Sequence, residues 1–183
     1  MQLSHVSVRQ LGPDDWQITR ELRLAALRDS PEAFGGTYEQ AQDRTEQQWR
    51  IWPMHGVVYA AYLDGVPVGL ACGWLPEDSP GVAELISMWV APAARGRGIA
   101  GALIHAVVAW ACQQGATVRL EVMAGNSTAR RAYARHGFTL DDRPANCSYT
   151  VALRFTPARP AEAAEIALLE AAVKCRSSST RWR

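Results

Sequence analysis

The run Arg95-Gly96-Arg97-Gly98-Ile99-Ala100 holds the most specific chemistry in this 183-residue chain. Two cations and two glycines stand just ahead of a stretch, Gly101 to Trp110, whose apolar spacing is helical. Glycine lets the backbone come close to a ligand, and the first N–H groups of a helix have no partner within it. The helix dipole adds partial positive charge at the same end. Formal charge from Arg95 and Arg97, free N–H groups and a dipole then meet at one place. The ligand that suits them is a pyrophosphate.

Other chemistries find less support. Cys72, Cys112, Cys147 and Cys175 are scattered, with no Cys-x-x-Cys pair and no histidine cluster, so no metal site is expected. They suit small buried hydrophobes in a reducing compartment. His5 and His55 lie in flanking segments, His105 is mid-helix and His136 ends a helix, and none has a partner in sequence that would make it a base. A net charge of +1 argues against nucleic acid as a partner. No run reaches the ~18–20 apolar residues of a membrane span, and the polar N-terminus lacks the apolar segment of a signal peptide. The expected location is the cytoplasm. An apolar fraction of 48% fits the core of one globular domain.

The elements that must position the basic turn follow from patterning. Val6 to Arg9 alternates like a strand, and Asp14 or Asp15 caps a helix over 16–28 with Ile18, Leu22, Ala25 and Ala26 on one face. Residues 32–43 read as a loop, and the capping box Thr45-x-x-Gln48 opens a helix over 45–52. Strands over 57–63 and 66–74 flank the hairpin turn Asp64-Gly65. A strand over 82–90 feeds the basic turn through Ala91-Pro92-Ala93-Ala94, and the long helix after it ends at Gly115. A strand over 118–123, a short helix over 127–136 and a strand over 148–155 complete the pattern. Beyond Pro157 and Pro160 an Ala/Glu-rich helical stretch and a Ser/Arg-rich end form an appendage, 157–183, read either as a tail or as a contact with a second subunit in a homodimer.

The pattern Arg95-x-x-Gly98-x-Ala100, between a central strand and the long helix, resembles the Gln/Arg-x-x-Gly-x-Gly/Ala signature of the GNAT superfamily of N-acetyltransferases. The segment Asn126 to Phe138 is similar to that family's Asn-x-x-Ala-x-x-x-Tyr-x-x-x-Gly-Phe. The resemblance implies an α/β (α+β) fold, a mixed and mostly antiparallel central sheet flanked by helices, over residues 3–156. It implies acetyl-CoA as cofactor, held by Met88, Trp89 and Val90, by Arg95, Gly96, Arg97, Gly98, Ile99, Ala100 and Gly101, and by Asn126, Ala129 and Tyr133. Ala129 and Tyr133 share a helix face that would look toward the thioester.

That resemblance also implies roles. Aminolysis of a thioester expels a thiolate, which the Tyr133 phenol can protonate as general acid. An ammonium must lose a proton before it attacks, and Glu121 and Glu84 compete as base. Glu121, twelve residues before Tyr133, resembles the base of ribosomal-protein alanine N-acetyltransferases, and Glu84 lies where other members place theirs. A backbone N–H near Val90 is expected to hold the thioester carbonyl oxygen. The acceptor region is expected around Phe34, Tyr38, Trp49, Trp52, Trp74 and Glu84, with Asp29, Glu32, Glu39, Asp43, Glu46, Glu77 and Asp78 nearby. Aromatic faces and carboxylates suit a polycationic or sugar-like amine. Leu22 to Gly35 resembles a branch that includes kasugamycin-type aminoglycoside 2'-N-acetyltransferases. The first-choice acceptor is therefore an aminoglycoside antibiotic, with resistance by acetylation. The alternatives are a protein N-terminus and, from another class, a non-catalytic acyl-CoA-binding regulatory module.

Overall fold

The computed structural model of the chain describes residues 5–146 and 148–156. The expected appendage, 157–183, lies outside them, as do Cys147 and Cys175. Seven strands and five α-helices follow one another as β1 (Val6–Leu11), α1 (Trp16–Asp29), α2 (Tyr38–Gln42), α3 (Glu46–Arg50), β2 (Gly56–Leu63), β3 (Val66–Trp74), β4 (Val82–Val90), α4 (Ile99–Gln113), β5 (Thr117–Met123), α5 (Ser127–Arg135), β6 (Thr139–Leu140) and β7 (Thr150–Phe155). The strands form one sheet in the order β1-β2-β3-β4-β5-β7-β6. Among the described residues only β4 and β5 run parallel, so the sheet is mixed and mostly antiparallel, as expected.

Each face of the sheet has its own apolar cover. Leu103, Ile104, Val107 and Val108 of α4 pack with Leu85, Val118 and Leu120 on one face. Leu22 and Ala26 of α1 pack with Val58, Ala60, Leu70 and Trp89 on the other. The approach of α4 is close enough that a Cβ at Gly73 would stand 2.4 Å from the Trp110 ring, so only glycine fits that strand position.

Two local differences from the sequence reading concern the early helices. The stretch expected as loop contains α2, because Thr37 and Gln40 form a second capping box: Gln40 N–H donates to Thr37 Oγ1 at 3.2 Å, and Thr37 N–H donates to Gln40 Oε1 at 3.1 Å. Asp15 does precede α1, but its carboxylate takes the Gly12 N–H at 3.0 Å and the Arg9 guanidinium at 3.0 Å rather than capping the helix.

The feature that shapes the site is in β4. Ala83, Leu85, Met88 and Val90 pack on the α4 face, whereas Ile86 and Trp89 pack on the α1 face. The step of three from Leu85 to Met88 marks an extra residue. Ser87 sits there at φ 57°, opposite a register shift between Leu70 and Cys72 of β3. Such a bulge bends and twists its strand. The parallel ladder with β5 accordingly has three rungs, Val82 to Thr117, Ala83 to Val118 and Glu84 to Arg119. Beyond Glu84 and Arg119 the two strands splay apart.

Candidate active site

The splay opens between the ends of β4 and β5, and each end carries one half of the sequence signature. From β4, the chain passes through Pro92–Ala94 into the basic turn and α4. Gly96 and Gly98 both have φ 77°, in the left-handed region that costs glycine nothing. Gly98 is the N-cap of α4, and Ala102 is the first residue whose N–H bonds back, to Gly98 O at 3.1 Å. The N–H groups of Ile99, Ala100 and Gly101 are thus left for a ligand. No heavy atom lies within 4 Å of a Cβ built at Gly96 or Gly98, so the turn is open on its outer side. This is a cradle that fits a pyrophosphate.

The two arginines of the turn divide its work. Arg97 is exposed and makes no ion pair among the described residues. Arg95 points the other way, with Nε on Val90 O at 2.9 Å and Nη2 on the Asp29 carboxylate at 2.5 Å. The same carboxylate takes the Trp89 indole N–H at 2.9 Å. Asp29, held below the usual carboxylate range first by that indole bond, ties the end of α1 to the end of β4. Arg95, expected to face the phosphates, is held in this brace by Val90 O and Asp29.

From β5, the chain enters α5 through Asn126. Asn126 Oδ1 accepts the Ala129 N–H at 3.0 Å, which caps the helix and fixes its start beside the splay. Ala129 and Tyr133 both pack against the α4-side core. Tyr133 is 9% exposed, and burial pushes its phenol upward, so it stays protonated across the physiological range. The end of α5 is docked on the first turn of α4. His136 Nδ1 meets His105 Nε2 at 3.3 Å, and a Cβ at Gly101 would stand 2.6 Å from the His136 ring. Burial, with help from His105 and Arg135, lowers the His136 pKa.

Trp74, Glu84 and Arg119 lie side by side across β3, β4 and β5 at the narrow end of the splay. Arg119 was not singled out in sequence, yet it organises this row. It is 5% exposed. Its Nη1 is 3.5 Å from Glu84 and 3.2 Å from Glu121, its Nε is 3.0 Å from Asp141, and its Nη2 donates to Pro144 O at 2.8 Å. Both expected bases therefore share one guanidinium, but their freedom differs. Glu121 also accepts the Asn146 N–H at 2.7 Å and the Thr150 hydroxyl at 2.8 Å. Glu84 has Arg119 alone as a hydrogen-bond donor among the described residues. Burial raises the Glu84 carboxyl above its usual range, with Arg119 opposing and Glu121 adding to the rise.

The aromatics expected at the acceptor side are on the α1 face but not all within reach of a ligand. Trp49 is 1% exposed and packed with Leu24, Leu27 and Ala41, so it is core. Trp52 meets it edge-on at 5.8 Å and is half-buried. Tyr38 takes the Arg28 guanidinium on its hydroxyl at 2.6 Å, and Phe34 lies under Arg23 at 4.5 Å. Two expected acids already have cationic partners: Asp29 has Arg95 and Glu46 has Arg50.

The family model described as the acetyltransferase (GNAT) family matches residues 21–138, a span that holds both lips of the splay. The chain belongs to the GNAT acetyltransferase family. Over 121 residues, 60% of its length, this chain is 31% identical to a mycothiol acetyltransferase of Corynebacterium aurimucosum. It spans 38% of the length of that curated relative. The fold is shared with the PaiA N-acetyltransferase of Thermoplasma acidophilum, solved in complex with coenzyme A (TM-score 0.63, 15% identity, 83% of this chain and 99% of that one). It is shared with a GNAT acetyltransferase of Staphylococcus aureus (TM-score 0.65, 14% identity, 82% and 98%). The ribosomal-protein-S18-alanine N-acetyltransferase of Escherichia coli is also similar (TM-score 0.58, 16% identity, 82% and 93%). The donor of the family is acetyl-CoA, and the cradle at Gly96–Gly101 fits its pyrophosphate. Among the described residues no helix is long and apolar enough to cross a membrane, and no cluster of three metal-ligating side chains occurs.

Proposed function

We propose that this acetyltransferase moves the acetyl group of acetyl-CoA directly to a primary amine of a small molecule. The observation that carries the proposal is the splay itself, with the Gly98-led helix at one lip, Tyr133 at the other and Glu84 at its narrow end. Acetyl-CoA supplies an activated acyl thioester. The N–H groups at the start of α4 and the exposed Arg97 hold its diphosphate. Ala91 N–H bonds Val68 O at 2.8 Å, so strand alternation turns the Val90 N–H away from β3 and toward the splay. There it donates to the thioester oxygen as negative charge develops. Glu84 takes the proton of the incoming ammonium through water, and Tyr133 donates its proton to the departing sulfur. Glu121 positions the row, because its two oxygens are engaged by Asn146, Thr150 and Arg119. No side chain need form a covalent intermediate.

Within small amines, an aminoglycoside is the acceptor that the Leu22 to Gly35 resemblance puts first. The ion pairs of Asp29 and Glu46 leave fewer acids for a polycation than the sequence offered. The relative named for mycothiol supports a small-molecule acceptor. A second reading, a protein N-terminus, draws on the Glu121–Tyr133 spacing and on the likeness to the S18-alanine enzyme. Incubation with acetyl-CoA and a panel of aminoglycosides, polyamines, amino acids and N-terminal peptides, read by product mass, decides between them. Acetylation of peptides but of no small amine would overturn the proposal.

A further inference from the structure

Two cations under the early helices have no counter-ion. Arg23 projects from α1, is 9% exposed and stacks on the Phe34 ring at 4.5 Å. Its Nη1 is buried without a hydrogen-bond acceptor. Arg44 repeats the arrangement: its Nη1 is buried without an acceptor, and its guanidinium lies 5.0 Å from the Trp49 ring and 5.5 Å from the Trp52 ring. Among the described residues neither pairs with a carboxylate. Burial lowers the Arg23 pKa to about 10, with Arg44 nearby acting in the same direction, so Arg23 is a cation at neutral pH. A buried charge left unpaired is costly, and folded chains tolerate it where a ligand completes the pair.

The place of Arg23 points to that ligand. Its guanidinium acts electrostatically on the buried Cys72 thiol of β3, where the register of β3 shifts against the β4 bulge. Its Nη2 is 3.7 Å from where a Cβ on Gly36 would stand, so the fork ends under the loop between α1 and α2. Ile86 and Trp89 of β4 pack into the same layer as α1, and Glu84 alternates onto that face. The cation thus lies on the acceptor side of the sheet, between a surface loop and the strand that carries the candidate base.

We infer that Arg23, with Arg44 beside it, binds an acidic group of the acceptor, so that the acceptor is a small amine that also carries a carboxylate. A guanidinium presents paired N–H donors in the spacing of two carboxylate oxygens, and a stacked ring holds its plane. Arg23 is then a specificity residue: it makes no contact with the reacting atoms and selects what the amine is attached to. The inference rests on the acetyltransferase reading of the site and, since an aminoglycoside carries no carboxylate, it places an amino-acid-like acceptor ahead of the aminoglycoside that the Leu22 to Gly35 resemblance names.

The test uses matched pairs of primary amines that differ at one end, α-amino acids against their amides and aminoalkyl phosphates against the amino alcohols. CoA release is followed with the wild type and with Arg23→Gln, Arg23→Lys and Arg44→Gln. The expected result is a kcat/KM at least roughly tenfold higher for carboxylates than for their amides, as befits a charge-assisted hydrogen-bonded pair. Arg23→Gln removes the preference through the KM of the acids, Arg23→Lys keeps part of it, and the amides are unaffected. A preference for the phosphates alone, equal rates for acids and amides, or a preference that survives Arg23→Gln overturns the inference. Thermal melting keeps the variants interpretable: Arg23→Met should melt no lower than the wild type, and a lower melting temperature with the acid preference intact makes Arg23 structural. If no amine releases CoA, the same acids are titrated against the CoA-loaded protein. A melting shift lost in Arg23→Gln then retains the anion site while the transfer reading fails, and no shift rejects the site as well.

Discussion

Glu84 and Arg119 face each other at the last rung of the parallel ladder, with Oε1 and Nη1 3.5 Å apart, where β4 and β5 part. The pair sets the protonation of the candidate base. Burial raises the Glu84 carboxyl and Arg119 restrains the rise. A base must be ionised to act, so turnover should climb as pH rises through this raised pKa and then level. Glu84→Gln should lower turnover by about 100-fold and flatten the acidic limb. Glu121→Gln should leave the limb in place. A pH-rate profile of both variants checks this, and loss of the limb in Glu121→Gln alone would return the base to Glu121.

Arg119 also neutralises Asp141, whose carboxylate is fully enclosed. Burial pushes Asp141 up, but the Arg143 N–H and the charges of Arg154, Arg143 and Arg119 outweigh it, so its pKa is lowered. A lowered carboxylate contributes stability above its unfolded pKa, and that contribution fades as pH falls through the folded value. Arg119→Met should cost about 3–5 kcal/mol, because it strands buried carboxylates. It should also move the acidic limb of activity to higher pH. Denaturant titration near neutrality, with the pH-rate profile, reads both effects.

Tyr133→Phe should lower turnover by about 100-fold while CoA affinity changes little, since the ring still packs near Phe138. Equilibrium titration with CoA, set beside the rate, separates the two. An unchanged rate would remove Tyr133 as the acid.

The basic turn makes a paired prediction. Gly98→Ala places a Cβ at φ 77°, which costs roughly 1–2 kcal/mol and loosens the cradle. CoA affinity should fall with the melting temperature. Arg97→Gln should weaken CoA at low salt more than at high salt, with no loss of stability. Arg95→Gln should do the reverse, freeing α1 from the end of β4 and leaving the salt dependence intact. Titrations at two ionic strengths, beside melting curves, distinguish the arginines.

His136 gives a second pH dependence. Its pKa is lowered below 6.5, so docking of α5 on α4 contributes stability above that value and loses it as pH falls through the folded pKa. Melting temperature should drop on acidification through this range, and His136→Gln should blunt the drop.

Much of the scaffold was legible from local signals. The Asp64-Gly65 hairpin, the face of α1, the Thr45 capping box and the helix after Gly98 each depend on residues close in sequence. So does the Asn126 cap. What escaped was long-range. Arg119 in an alternating strand looks solvent-facing until β4, residues 141–144 and Glu121 close around it. The brace of Arg95 on Asp29 is hidden in sequence because the two residues are remote from one another. The bulge at Ser87 leaves one trace, a break in the alternation of β4. The capping box at Thr37 follows Gly35-Gly36, whose loop signal masks it in sequence.

Acetyl transfer, rather than acyl-CoA binding alone, is the function proposed for the splay between β4 and β5. The most direct measurement is thiol release from acetyl-CoA in the presence of the amine panel, with CoA binding titrated on the same protein. Release matched by N-acetylated amine is expected, falling about 100-fold in Tyr133→Phe with CoA still bound. Tight CoA binding with no release from any amine would contradict it and leave a binding module.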